Sequence, residues 1–548
     1  MEFPLAQREL TQAGRDRRNY IIRSAIAGLA VAILVVAWMV HSTMLMMTSA
    51  GSSGMTAGAE ALGQALALTA LVVQVGVTFI VAPMLTAGLV SAEKDEGTLG
   101  LLLMADLSGR DVFLAKYLRG FLMAELLLLS TLPFASFAAL LGGVSVPNAV
   151  ARLLGFSFYA AGICALGILY STVSRRAATA FFLTVLSLIP WLGIGAAADA
   201  FVLYPIGFDN FAVGLPSMLQ EFRTVNQALG IVLPQSAVAA VVGLAASGLA
   251  IRLLPGQVYA SDAPRRQHSL ARRNKWRRWL RVEPGERFVA AGASGFAANL
   301  SPWPLRVLAF VALMAIDALP CVGEFIVIAL MSYDILSSMH AARRDGALDE
   351  LVLTPLPDRA LAQAIFRANF RAALFYGLPM VSVAFIGTVL TTVAFGFMGA
   401  GSLQGWLLAG MLEGPFAIGI RLATLLVSPL PDICFVLAMT GLLSYIGIQR
   451  GTPVQQTLLA LLATVVLMII VGLPTPFLSV FFTAVPAMGA PGGFTSYDQF
   501  AMLGSLLGSF IEAIGNAGAA ILFFVLLAEG VRRHLVAQPQ IYIATERR

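Results

Sequence analysis

The chain has 548 residues, of which 58% are hydrophobic and only 12% are charged, and its formal net charge is +6. A soluble domain has about a quarter charged residues, so this composition excludes an ordinary soluble protein and indicates a membrane protein. The three cysteines and four histidines show no spacing of metal ligands. Because no P-loop motif occurs either, the sequence predicts a chain that is not an enzyme and hydrolyses no nucleotide by itself.

Long apolar runs follow one another along the chain. A helix needs about 20 apolar residues to cross a hydrocarbon core about 30 Å thick. Runs that meet this test lie at about 24–47, 65–90, 118–141, 152–173, 177–198 and 229–253, and then at about 303–319, 321–340, 371–395, 430–448, 455–474 and 510–531. We therefore predict an all-α polytopic membrane protein of twelve transmembrane helices. Its domains are a six-span half at 1–254, a basic linker at 255–300 and a second six-span half at 301–548.

The positive charges give the orientation. With twelve spans, both termini and the linker lie on one side, and of the 35 Lys and Arg residues only Arg152, Arg223 and Arg421 lie on the other. Lysine and arginine are enriched in cytoplasmic loops, so both termini are predicted to be cytoplasmic.

A second topology makes 305–340 one kinked span and 406–427 another, which still totals twelve. It places five arginines on the outside, against the charge rule: Arg343, Arg344, Arg359, Arg367 and Arg371. We therefore predict that 305–340 is a hairpin of two spans with "LPCVG" (319–323) as its turn. Residues 406–427 are predicted to be an interfacial or re-entrant element on the outer side.

A short charged, leucine-spaced segment occurs twice, as "AEKDEGTLGLLLMADL" (92–107) and "AARRDGALDELVLTPL" (341–356). A shift of 249 positions brings the two copies into register without a gap, and identical residues then stand at Ala92/Ala341, Gly97/Gly346, Leu99/Leu348, Leu102/Leu351, Leu107/Leu356 and Arg110/Arg359. Each copy follows the second span of its half, and the later stretches 165–190 and 439–465 are also similar. Because six spans is an even number, the repeat predicts two parallel halves, as in a fused dimer.

Each copy has the pattern of a short amphipathic helix. Its apolar residues fall at i, i+3 and i+4: Leu99, Leu102 and Leu103 in the first copy, and Leu348, Leu351 and Val352 in the second. Gly97 and Gly346 permit a sharp turn before the helix, and Thr354 is forced out of helical geometry by Pro355. Two interpretations are open at this point: a surface hinge whose leucines lie against lipid, or a docking site for a cytoplasmic partner.

The first copy and its flanks, "SAEKDEGTLGLLLMADLSGRDVFLAK" (91–116), resemble the signature of the ABC-2 type exporter permeases. In that family a charged cluster and Gly-Thr-Leu precede a leucine-rich turn, Thr-Pro-Leu and a lysine that opens the third span. The first copy keeps Gly97, Thr98 and Lys116 but has Ala105-Asp106-Leu107 in place of Thr-Pro-Leu, whereas the second keeps Thr354-Pro355-Leu356 but has Ile365 for the lysine. The N-terminal segment 4–23 and the "STVSRR" turn at 171–176 are also similar to the family.

The resemblance implies the permease component of an ATP-binding-cassette exporter in a bacterial plasma (inner) membrane. Separate nucleotide-binding subunits, two copies per chain, would bind ATP and Mg, and this chain itself would bind no cofactor. Its two coupling helices would lie near 93–107 and 342–356. The residues to which the resemblance assigns coupling are Glu93, Lys94, Asp95, Glu96, Gly97, Thr98, Leu99 and Leu102 in the first copy, and Arg343, Arg344, Asp345, Gly346, Leu348, Glu350, Leu351, Thr354 and Pro355 in the second.

Two further features receive interpretations of their own. The stretch 265–281 has eight basic residues and no acid, which favours a basic helix on anionic lipid over a solvated linker or a nucleic-acid site. The lipid-binding residues predicted there are Arg272, Arg273, Lys275, Trp276, Arg277, Arg278 and Trp279. Glu125 lies about two turns inside the third span and is either a cavity-facing group or part of a helix–helix contact.

Two other functions remain as alternatives to the exporter permease. An ion-coupled secondary transporter with parallel halves requires several charges near the middle of the membrane, in which this sequence is poor. The other alternative is a membrane scaffold that transports nothing.

Overall fold

The chain folds as two units, residues 1–275 and residues 276–548. The computed structural model describes residues 54–96, 98–99, 108–141, 144–174, 176–198, 225–261, 303–317, 323–344, 357–400, 426–449, 452–472 and 494–531, together with residues 7, 11, 24, 28, 423 and 533. All the regular elements among these residues are helices. The predicted all-α fold class is therefore confirmed for the part of the chain that is described.

The first unit contains eight α-helices and one π-helical turn in its described part. They are α1 (Gly54–Gly76), the π turn (Val77–Val81), α2 (Ala82–Ala87), α3 (Ser91–Glu96), α4 (Gly109–Leu129), α5 (Leu132–Leu140), α6 (Val146–Val173), α7 (Ala177–Ala198) and α8 (Val225–Ser261). The most extensive packing in this unit is between α6 and α8, and α6 also contacts α2 and α4.

The described part of the second unit contains six α-helices. They are α9 (Trp303–Asp317), α10 (Gly323–Arg344), α11 (Asp358–Ala400), α12 (Leu430–Ile448), α13 (Pro453–Gly472) and α14 (Phe494–Gly530). Here the most extensive packing is between α12 and α14, and α12 also contacts α10 and α11. In both units, therefore, a helix that precedes a short basic turn packs along the last helix of the unit.

The described helices have the length and composition of a multi-pass membrane protein. Eight segments are long and apolar enough to span a bilayer: Leu66–Lys94, Gly109–Leu140, Val146–Val173, Val232–Leu254, Gly323–Arg343, Asp358–Val389, Leu430–Ile448 and Leu506–Gly530. Two shorter apolar helices, Ala177–Leu192 and Pro453–Met468, coincide with the predicted spans at 177–198 and 455–474. The full count of twelve stays a prediction, since 24–47 lies almost wholly outside the described residues.

The residues predicted to form a hairpin at 305–340 contain two separate helices, α9 and α10. A Cβ atom on Gly323 would meet the carbonyl oxygens of Ile316 and Asp317. In one continuous helix a residue seven positions on would lie about 10 Å further along the axis, so α9 and α10 are not parts of one continuous helix. A side chain does not fit at this close approach, which accounts for a glycine at the start of α10.

Local sequence explains where individual helices begin. The Ser108 side chain accepts a hydrogen bond from the Asp111 N–H, while the Asp111 carboxylate accepts from the Ser108 N–H, so a capping box opens α4. In the second span the Ala82 N–H donates to Val77 O, which makes the π turn. Pro83 follows at once and has no N–H to donate, so the regular ladder is interrupted at this place.

Candidate functional site

The first candidate site is the junction at which the second predicted span ends and the first repeated segment begins. Helix α3 starts there, and the N–H groups of Val90 and Ser91 both donate to the Ser171 hydroxyl, at 3.1 and 3.0 Å. Ser171 lies near the carboxyl end of α6 and is fully buried. The amino end of α3, whose N–H groups need partners, thus finds an acceptor on another helix. We name Ser91, Lys94, Ser171 and Thr172 the first junction.

Lys94 completes this junction in the opposite direction. Its ammonium group donates to the carbonyl oxygen of Thr172, one of the carbonyls at the end of α6 that have no partner within their own helix. A positive charge at a helix carboxyl end also interacts favourably with the helix dipole. Each of the two helix ends therefore supplies the group that the other lacks.

Leu99 anchors the repeated segment to the protein interior. It is only 2% exposed and belongs to one apolar cluster with Phe113 of α4, Ile168 of α6 and Leu254 of α8. The Thr98 hydroxyl lies 3.3 Å from its acceptor, Glu93 O. In the structure Leu99 thus packs on three helices, whereas the hinge interpretation puts it against lipid.

An ion pair joins the same region to the third span. The Lys116 ammonium contacts the Glu93 carboxylate, and their side chains are 4% and 15% exposed. A buried pair of this kind carries a desolvation cost that must be met by the mutual attraction of the charges. The acidic residue Glu93 and the basic residue Lys116, both of which match the family signature, are therefore partners of each other.

The second junction consists of Arg343, Gln456 and the last carbonyls of α12. The Arg343 guanidinium donates to Gln449 O at 2.7 Å, to Gly447 O at 3.1 Å and to Ile448 O. The Gln456 amide, from α13, donates to Ile446 O at 3.0 Å and to Gln449 O at 2.7 Å. All four carbonyls at 446–449 have donors, as the end of a helix requires.

The two junctions are related by the sequence repeat. Lys94 and Arg343 are 249 positions apart, the same shift that brings the two repeated segments into register. The helices that follow, α4 and α11, begin at Gly109 and Asp358, again with that shift. In each unit a cation just after the second predicted span therefore binds carbonyl oxygens at the end of the helix that precedes the basic turn.

Other predicted residues are only partly described. Asp95, Glu96 and Arg344 lie in helices, without a description of their side chains. Outside the described residues are the predicted site residues Gly97, Leu102, Asp345, Gly346, Leu348, Glu350, Leu351, Thr354 and Pro355, all seven predicted lipid-binding residues of 272–279, and nearly all of 4–23 and 406–427.

Glu125 forms a helix–helix contact through one of its oxygens. Ser157 of α6 donates to Glu125 Oε1 at 2.7 Å, while Oε2 is buried without a hydrogen-bond partner. A cavity-facing role for this residue stays a prediction. An open groove of about 630 Å³ lies elsewhere, between α13 and α14, and its wall is apolar, with Leu459, Ile470 and Phe523 among the lining residues.

Sequence reasoning missed several of these contacts. Ser171 and Thr172 stand in the "STVSRR" turn, whose similarity to the family gave no indication of these contacts. Gln456 gave no signal at all. In the second unit, the carboxylates of Asp317, Glu324, Asp432 and Glu512 also lie close enough to interact electrostatically. Within the described part of the chain no group of three or more His, Cys, Asp or Glu side chains has the arrangement of a metal site.

Comparisons with family models, with curated proteins and with solved structures find no match for this chain.

Proposed function

We propose that this chain is the membrane-spanning permease of an ATP-binding-cassette exporter of the ABC-2 type, with two six-span halves fused in one chain. It moves a substrate across a bacterial plasma membrane, and separate ATPase subunits, one for each half, supply the energy. Both termini and the basic linker at 255–300 lie in the cytoplasm, where residues 272–279 bind anionic lipid.

One observation supports this proposal most directly: the paired attachment of the two repeated segments. Lys94 in the first unit and Arg343 in the second each bind backbone carbonyls of a neighbouring helix end. A segment that receives a push from a partner must be held firmly by the helices it moves, because otherwise the segment would shift and the helices would stay. Two such segments in one chain match two copies of one driving subunit.

Copurification tests the partner. We expect a P-loop ATPase to remain with the tagged chain after solubilisation from its host, with two ATPases per chain by native mass spectrometry. Replacing residues 346–351 with a Gly/Ser stretch should reduce this number to one. Replacing 100–105 as well, which spares the buried Leu99, should reduce it to none.

The matched control replaces six residues of the linker, 284–289, with the same Gly/Ser stretch and should leave two ATPases bound. If two ATPases remain when both repeated segments have been replaced, the docking role is wrong. If no ATPase accompanies the unchanged chain, the exporter proposal itself is wrong.

A further inference from the structure

Lys94 and Arg343 each contact backbone carbonyls of their own unit. In the first unit the cation binds Thr172 O at the end of α6, and in the second it binds three carbonyls at the end of α12. Both side chains are half-buried. A cation that already donates to backbone carbonyls at a helix end has fewer donors left for an acidic group on another protein.

The helices reached in this way are those that pack most extensively on the last helix of each unit, α6 on α8 and α12 on α14. Packed helices transmit displacement because protein interiors are dense and have low compressibility. A displacement of α3 that reaches Thr172 therefore also reaches α8, whose Leu254 shares the cluster with Leu99.

We propose that Lys94 and Arg343 are positioning residues, which attach the repeated segments to the ends of α6 and α12 so that these helices follow any displacement of the segments. The attachment stands on the contacts described above, while the source of the displacement rests on the proposed function.

The two units differ in what else holds the segment. The first unit adds the Ser171 hydroxyl, which accepts from the N–H groups of Val90 and Ser91 just before the segment, and the Glu93–Lys116 ion pair. In the second unit, positions 342 and 365, which match 93 and 116, hold Ala342 and Ile365. Among the described residues the second segment thus lacks the match of the Glu93–Lys116 ion pair, so loss of Arg343 should loosen its segment more than loss of Lys94 loosens the first.

Spin labels on the full chain in lipid nanodiscs measure the attachment. The label positions are Ala92 and Ala341, which match each other in the repeat, in a background without native cysteines. We expect Lys94→Met to increase the nanosecond mobility of the label at 92, Arg343→Met to produce a larger increase at 341, and Lys94→Arg and Arg343→Lys to restore the original spectra. The exposed Arg110, changed to Met, is the matched control and should alter neither spectrum.

A label at the exposed Val173, the last residue of α6, measures the transmission. With the copurified ATPase present, we expect ATP to change the spectrum at 173 in the unchanged chain. Lys94→Met should abolish this change while ATP hydrolysis continues, and Lys94→Arg should restore it, which a general loss of folding would not do.

The attachment is wrong if the label at 92 is as immobile in Lys94→Met as in the unchanged chain. The transmission is wrong if the ATP-dependent change at 173 persists in Lys94→Met. If no ATPase accompanies the chain, the proposed function and the transmission both fail, and the mobility at 92 and 341 still decides the attachment.

Discussion

Each unit has one polar pair, largely shielded from solvent, whose matching positions in the other unit are apolar. Glu93 and Lys116 form an ion pair in the first unit, whereas the second unit has Ala342 and Ile365, exposed by 1% and 0%. The second unit thus lacks both charges of the pair rather than one of them. This is the outcome expected if a single charge is costly to bury and a complete pair can be replaced by apolar side chains at little cost.

The first prediction concerns this ion pair. Glu93→Ala or Lys116→Ile alone should destabilise the protein by about 3–5 kcal/mol, because the remaining charge stays buried without its partner. The double variant, which copies the second unit, should recover most of the loss. Thermal unfolding of the purified protein in one detergent, followed by intrinsic fluorescence, measures both.

The exposed pair Arg533–Glu529 is the control, with side chains 72% and 46% exposed. Arg533→Met should change stability by less than about 1 kcal/mol. If the double variant at 93 and 116 is as unstable as the worse single variant, the explanation from paired replacement is incorrect.

The second prediction concerns a polar pair that is present in the second unit and replaced by apolar residues in the first. The Tyr376 hydroxyl donates to Asp334 Oδ2 at 3.0 Å, and both residues are almost fully buried, while the first unit has Leu85 and Leu127 at the matching positions. Tyr376→Phe should lower the stability of the protein by about 1–3 kcal/mol, because a buried acceptor loses a donor.

Tyr117→Phe is the matched control, because Tyr117 is half-buried and its hydroxyl makes a long hydrogen bond of 3.4 Å to Ala161 O. Equal losses of melting temperature in the two variants would contradict this argument.

At the scale of elements, the packing of α2 against α4 and α6 depends on small residues around Thr86. A Cβ atom on Gly120 would lie 2.5 Å from Thr86 Cγ2, and one on Gly167 would overlap the Thr86 hydroxyl. Thr86 cannot turn away, because it is β-branched and its hydroxyl donates to Ala82 O at 2.9 Å. The glycines thus allow α4 and α6 to approach the second span closely.

The third prediction follows from this contact. Gly120→Ala should destabilise the protein by about 1–3 kcal/mol through overpacking. Adding Thr86→Ala removes Cγ2 and should make the double variant more stable than Gly120→Ala alone, since the remaining neighbours of the new Cβ are 3.6 Å or more away. Gly248→Ala in α8, where no atom lies within 4 Å, is the control and should be neutral or stabilising. A double variant no more stable than Gly120→Ala would contradict the assignment of the clash to Thr86.

At the scale of the whole molecule, the open question is which loops lie on which side. The separate helices α9 and α10 fit the prediction of a hairpin at 305–340. Under the topology with a hairpin of two spans at 305–340, residue 349 lies in the cytoplasm and residue 402 outside. Under the topology with one kinked span at 305–340, the two positions exchange sides.

The fourth prediction uses this exchange. In a cysteine-free chain, a thiol reagent that cannot cross membranes should label Ser402→Cys in intact cells and should label Asp349→Cys only after permeabilisation. Ser294→Cys in the linker and Ser428→Cys are the inner and outer controls, because both topologies place them alike. Labelling of residue 349 in intact cells, with protection of residue 402, would establish the other topology.

The sequence by itself determined the membrane class, the helical fold and the approximate position of most described helices. A lipid environment requires every spanning segment to satisfy its own backbone hydrogen bonds. The apolar runs and the charge distribution that predict such segments can therefore be read from the sequence alone. The register of the two repeated segments is also a property of the sequence alone. It requires no knowledge of what packs against the segments.

Only the tertiary structure decided what the conspicuous charges do. In the structure Lys94 and Arg343 donate to backbone carbonyls at the ends of α6 and α12, and their predicted role in coupling to a partner stays a prediction. Every residue carries a carbonyl, so the sequence contains no signal for which of them lies within reach of a distant cation. Likewise Glu93 and Lys116 meet only because the second and third spans pack side by side, and contacts between distant segments are set by packing rather than by local residue patterns.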